Sequence, residues 1–200
     1  VYDIQESEGL QGVKKEEIEA VFAEVENGTE HQEMLMYLLN AFSDAKEVGS
    51  LLQIKPGRYA ELGTAWRTTI SDAAEKAGMK MWYTAVDDSV KQFIEQATML
   101  SQKYDAVVTN PPYMGASNMN PCLNEFIKQN YADYKSDFFS AFVVRASQMT
   151  KHEGRCGFFT PYVWMFIQSY EKLRQYLYSQ ATLETLIQFE YSAFEEATVP

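Results

Sequence analysis

The 200-residue chain is poor in cysteine, proline and glycine, with two, six and ten of them. Cys122 and Cys156 form no C-x-x-C pair and no disulfide framework. With no secretion signal to read, a reducing cytoplasm is the expected setting, and both are expected as buried thiols. So little glycine and proline excludes collagen-like and low-complexity chains. No apolar run approaches the ~20 residues of a membrane span. Val1-Tyr2-Asp3 has no basic segment followed by an apolar one, so no signal peptide is read there, and a first residue other than Met suits a piece of a longer protein. His31 and His152 lack metal-ligand spacing and are expected at the surface, with no metal centre. There is no Walker A loop, no serine nucleophile elbow and no G-x-G anywhere.

What is present is ordinary for one soluble domain: 46% hydrophobic residues, with aromatics high at 14%. The net charge of −11 is uneven. Residues 1–50 hold 12 Asp and Glu against 3 Lys and Arg, whereas 51–100 and 101–150 are balanced. The acidity therefore belongs to the first quarter, and no basic stripe offers itself to phosphates.

Periodicity predicts a helix over Lys14–Asn27 through Ile18, Val21, Phe22 and Val25, ended by Gly28. A second helix, opened by a Thr29/Gln32 capping box, carries Leu35, Leu38, Leu39 and Phe42. Short strands are expected at Tyr2–Gln5 and Leu51–Ile54. A third helix runs through Trp66, Ile70 and Ala73 to Gly78. A fourth, started by Asp87-Asp88, turns Val90, Phe93, Ile94 and Ala97 inward.

From Tyr104 the pattern changes. Strands are predicted at Tyr104–Thr109, Arg155–Thr160 and Leu183–Tyr191, with helices over Ser136–Lys151 and Ser169–Ser179 between them. Asp137 is expected in the first turn of the former. This β-α-β-α-β order is the grammar of a parallel sheet with crossover helices. Ligands of such sheets sit at the carboxyl ends of the strands, just after Thr109, Thr160 and Tyr191.

Directly after the first of those strands stands Asn110-Pro111-Pro112-Tyr113. An exocyclic amine on a conjugated ring is a poor nucleophile because its lone pair is delocalised. The Asn110 side-chain oxygen and the Pro111 carbonyl can both accept hydrogen bonds from such an amine. They would hold its nitrogen toward tetrahedral geometry, which is positioning and electrostatics rather than covalent catalysis. Two prolines stiffen the turn and leave carbonyls unclaimed by a ladder. Tyr113 supplies a flat surface for a base lifted out of a helix.

Asn110-Pro111-Pro112-Tyr113 at a strand end resembles the catalytic motif of N6-adenine DNA methyltransferases. The helix and Gly154–Pro161 strand that follow are similar to the gamma-type group. Asp44-Ala45-Lys46-Glu47-x-Gly49-Ser50-Leu51-Leu52, Met114-Gly115 after the motif and Lys135-Ser136-Asp137-Phe138 resemble the PglX-type methyltransferases of the BREX phage-defence system. The resemblance implies a partial Rossmann-like, S-adenosylmethionine-dependent α/β fold. Residues 1–103 would give a cofactor-side strand plus a mainly helical insertion, and 104–200 the catalytic half, incomplete at both ends.

Carried over residue by residue, Asn110 and Pro111 bind the target amine, Pro112 shapes the turn, and Tyr113 and Phe194 contact the flipped adenine. Gln5, Glu6 and Asn110 are implied cofactor contacts. The glycine-rich cofactor loop and the ribose-binding acid have no match here, so weak or no cofactor binding by this piece alone is expected. The implied partners are double-stranded DNA and other defence-system proteins, with no membrane. The acidic insertion suits a protein partner better than phosphate. Methylation of RNA or of a protein glutamine uses the same four residues, and a non-catalytic methyltransferase-like binding module is the alternative of another class.

Overall fold

The computed structural model describes residues 15–77 and 80–189. Gln5, Glu6, Phe194, the expected Tyr2–Gln5 strand and Gly78 lie outside the described residues. The chain divides into two units between Gln102 and Lys103.

Every regular element described in the first unit is helical: α1 (Lys15–Phe22), α2 (Gly28–Ala41), α3 (Ala45–Val48), α4 (Tyr59–Ala77) and α5 (Lys80–Ser101). Their apolar stripes meet in one core. Ile18, Phe22, Leu35, Leu38, Phe42, Leu62, Trp66, Phe93 and Ala97 are all at most 2% exposed. Each large apolar side chain so buried contributes about 1.5–3 kcal/mol. The Phe22 ring lies 6.0 Å from Trp66, and Phe42 lies 5.3 Å from Phe93. The one polar atom of Trp66 is satisfied: its Nε1 donates to Asp87 Oδ1 at 2.9 Å, while Lys91 holds Asp87 Oδ2 at 2.6 Å.

Several boundaries differ from expectation. Helix α1 ends at Phe22, five residues early, and Gly28 opens α2 instead of closing α1. A Cβ on Gly28 would meet the Phe22 carbonyl oxygen at 2.1 Å, so this close approach of two helix ends admits only glycine. Asn27 precedes it in the left-handed region at φ 60°, and no side chain caps α2, so the capping box does not form. Gln32 instead reaches Glu19 at 3.0 Å. Leu51–Ile54 is no strand. A 3-10 turn over Gly49–Leu51 and an irregular segment bury Leu51, Leu52 and Ile54. Asp87-Asp88 lies inside α5 rather than starting it. His31 is 7% exposed, not at the surface, and its ring sits 5.8 Å from Phe22.

The second unit runs β1 (Tyr104–Thr109), α6 (Pro121–Asn130), α7 (Phe138–Met149), β2 (Thr150–Phe158) and α8 (Glu171–Gln180). β1 and β2 pair in parallel, Ala106 opposite Arg155 through Thr109 opposite Phe158. The register slips near the start: Tyr104 pairs with Thr150 but Ala106 with Arg155. The surplus on β2 is a bulge through Glu153, at φ 65°, and Gly154. A Cβ on Gly154 would meet the Asp105 carbonyl oxygen at 2.9 Å, so the bulge folds tightly onto β1. The observed strands thus form a small mixed α/β arrangement with two parallel strands. Leu183–Phe189, expected as a third strand, has no regular structure and is exposed, and Glu190 and Tyr191 lie outside the described residues. Cys122 and Cys156 are exposed rather than buried. No helix among the described residues is long and apolar enough to cross a membrane.

Candidate active site

Asn110 follows the last residue of β1, and the chain turns there because Pro111 cannot donate to a ladder. The strand ends are tied across the turn: Phe159 N–H donates to the Thr109 carbonyl at 3.2 Å. Pro111 is buried, whereas Asn110, Pro112 and Tyr113 are exposed. The turn is therefore anchored by one ring and presents the other three residues outward. Among the described residues no hydrogen bond occupies the Pro111 carbonyl.

The Tyr113 hydroxyl stands between two acceptors, Asn110 Oδ1 at 3.2 Å and the Phe159 carbonyl at 3.1 Å. One phenolic proton serves both, so each bond is weak. Burial pushes the Tyr113 phenol up, which keeps it protonated and donating. Its ring meets Phe139 edge-on, with centroids 6.4 Å apart, and Phe139 is itself 1% exposed. One edge of the tyrosine is thus held while the residue remains 37% exposed.

Asp137 fastens the other end of this loop. It is the N-cap of α7, one position before the first turn where it was expected. Its Oδ1 accepts from Met114 N–H at 3.0 Å and from Phe139 N–H at 3.2 Å, and Phe138 N–H returns to the Met114 carbonyl at 2.9 Å. Gly115 and Asp137 form an antiparallel bridge. One carboxylate therefore caps a helix and clamps the residue after Tyr113. Burial pushes its carboxyl up, against the pull of these backbone N–H groups.

Sequence reasoning missed this clamp, as well as the Phe159 carbonyl and the whole of α6. The signal for α6 was present: Asn120 Oδ1 accepts from Leu123 N–H at 2.8 Å as an N-cap, and Pro121 takes the first helical position. Asn110, Pro111, Pro112 and Tyr113 stand together as one turn at the strand end. Gln5, Glu6 and Phe194 lie outside the described residues, so of the expected cofactor contacts Asn110 alone is described. An exposed asparagine at a strand end is not a cradle for a nucleotide-sized cofactor, and the described residues do not fit that group by themselves.

A family model, Eco57I restriction-modification methylase, matches residues 23–194. The chain is 36% identical over 171 residues to the adenine-specific methyltransferase BrxX of Escherichia coli O9:H4 (strain HS), a match covering 80% of this chain and 13% of that protein. It is 28% identical over 164 residues to the adenine-specific methyltransferase PglX of Lacticaseibacillus casei (strain Zhang), again 80% of this chain and 13% of the relative. The type II restriction enzyme and methyltransferase RM.Eco57I of Escherichia coli is 31% identical over 121 residues, 56% of this chain and 12% of that protein. The chain thus spans about an eighth of the length of these relatives.

Proposed function

The chain belongs to the Eco57I restriction-modification methylase family, and from that premise we propose that it supplies the amine-binding turn of a DNA adenine-N6 methyltransferase of the BREX or restriction-modification type. The observation that carries the reading is the exposed Asn110 at the carboxyl end of a parallel strand, with its side-chain oxygen aimed at Tyr113. A flipped adenine entering here offers its N6 amino group to two acceptors, Asn110 Oδ1 and the Pro111 carbonyl. The two bonds pull the nitrogen out of conjugation and expose its lone pair. The Tyr113 hydroxyl gives up Asn110 as the amine arrives and keeps the Phe159 carbonyl, so the amide loses a weak bond and gains a better one. The aromatic face of Tyr113 is then available to stack on the base, worth about 1–3 kcal/mol.

S-adenosylmethionine, the methyl donor that the family implies, supplies an electrophilic methyl group when bound. Gln5, Glu6 and Asn110 belong to its side of the site in this reading, and Phe194 to the second face of the base. The α/β unit is read as part of a Rossmann-like sheet acting in the cytoplasm on double-stranded DNA alongside other defence proteins. The helical unit, whose part of the chain carries most of the acidic excess, is read as an insertion that docks a protein.

The test is methyl transfer by the full-length protein from labelled S-adenosylmethionine, followed by digestion of each candidate acceptor. Label in N6-methyladenine of duplex DNA is expected. Label found instead in RNA or in protein glutamine overturns the DNA reading.

A further inference from the structure

A groove of about 420 Å³ opens between the loop that follows the Asn110–Tyr113 turn and α6. Its floor is apolar, with Met119 9% and Ile127 1% exposed. Its rim carries Ser117, Ser136 and two exposed lysines, Lys128 and Lys135. Both lysines are without an ion-pair partner among the described residues. Most of the other cations described in this unit are engaged: Lys151 holds Asp105 at 2.9 Å, Arg155 holds Glu184, Lys103 donates to the Gln148 carbonyl, and Arg174 donates to the Trp164 and Ile167 carbonyls. Lys172 too has no ion-pair partner among the described residues, and it does not line the groove.

The groove is built from the same backbone as the turn. Its wall at Ala116 lies three residues beyond Tyr113, at most about 10 Å of chain. Asn124 Nδ2 on α6 fixes that wall by donating to the Ala116 carbonyl at 2.8 Å. Beside it stands Ser136, whose carbonyl accepts from Ala116 N–H at 3.4 Å and which directly precedes the Asp137 that clamps Met114. Two uncommitted ammonium groups over an apolar floor suit a phosphodiester: the phosphate at the lysines, the sugar against Met119 and Ile127.

We propose that this groove binds the backbone of the DNA strand carrying the target adenine, with Lys128 and Lys135 neutralising phosphates next to the flipped nucleotide. This rests on the DNA-adenine reading above. It also places phosphate contacts in a segment whose overall charge offers none: the two lysines act locally, within a stretch where acids and bases balance.

The experiment is steady-state methylation of a duplex containing the protein's own genomic site. It compares full-length wild type, Lys128→Gln/Lys135→Gln, Lys128→Arg/Lys135→Arg and the control Lys172→Gln across a salt series. Each phosphate contact contributes about 0.9 to the slope of log affinity against log salt. The double glutamine variant is therefore expected to raise KM for DNA by about tenfold or more and to flatten that slope by nearly two, with kcat held. The arginine pair restores both, and Lys172→Gln changes neither. Unchanged KM and slope in the double glutamine variant overturn the groove, as does an equal effect of Lys172→Gln. A wild type that methylates no DNA removes the underlying reading instead, and the two failures are told apart by that one measurement.

Discussion

The two units bury their apolar residues differently. In the helical unit the large side chains named above are closed off almost completely, down to 0% exposure for Leu35, Leu38 and Phe42. In the α/β unit Val108, the last residue but one of β1, is 81% exposed, and Leu183, Leu186, Ile187 and Phe189 are each more than half exposed. Parallel strands are ordinarily covered on both faces. Among the described residues, α7 supplies a well-packed layer through Phe139, Ala141, Val144 and Ala146, while the Val108 face has no such cover. The unit that closes its core does not hold the Asn110–Tyr113 turn, and the unit that holds it leaves strand residues open. Packing and chemistry are therefore separable here, and substitutions should separate them.

The largest effect on stability belongs to the helical unit. Leu38→Ala leaves a cavity in a filled core and should cost about 2–5 kcal/mol. Methylation by the full-length protein, measured below the melting temperature, should keep its kcat. A large loss of kcat without a change in melting would show that the helical unit takes part in the chemistry.

Tyr113→Ala comes next, and its effect falls on substrate rather than on folding. Losing the stacking face should weaken the base complex by about 1–3 kcal/mol. Tyr113→Phe keeps the face and removes only the hydroxyl shared by Asn110 and Phe159, so it should retain most activity. If the two variants are equally impaired in kcat/KM, the hydroxyl rather than the ring is what matters.

The smallest effect, and the sharpest, is at Asp137. Asp137→Ala removes an acceptor shared by two backbone N–H groups and should cost about 1 kcal/mol as a lost cap. It should also lower methylation, because Met114 is no longer clamped. Asp137→Asn keeps the accepting oxygen and tests the charge. Burial raises this carboxyl above its ordinary value, so the folded protein holds the proton more tightly than the unfolded chain. Its contribution to stability is complete below the unfolded pKa and is lost as pH rises through the raised one. Denaturant melts across that window should therefore show wild type losing stability relative to Asp137→Asn as pH rises. Parallel curves would contradict the account of that carboxyl.

What could be read in advance follows the same division. Helical stripes such as Ile18-Val21-Phe22 and Val90-Phe93-Ile94-Ala97 were legible because a period of 3.6 needs no partner to be recognised. The turn at Asn110 was legible because Pro111-Pro112 cannot continue a strand ladder. Short apolar runs were legible only in part: Tyr104–Thr109 is the strand expected, but two others are not. Leu51–Ile54 and Leu183–Tyr191 read alike as strands. The first is buried as irregular chain and the described part of the second is exposed, because periodicity and β-branching do not show where a run finds its packing. Gly28 was misread because a glycine after an apolar stripe signals a stop, whereas here it lets two helix ends approach. Asp137 was seen as a helix-dipole charge. Its tie to Met114 spans 23 positions in sequence, and local pattern carries no trace of such a contact.

The central claim is that Asn110 holds an adenine amine. It is tested most directly by mapping N6-methyladenine through single-molecule sequencing of genomic DNA, in cells carrying the full-length gene in its native setting, as wild type or Asn110→Ala. The account predicts a sequence-specific adenine mark in the wild type that is absent, or reduced at least about a hundredfold, in the variant. The same mark at the same sites in both strains would contradict it.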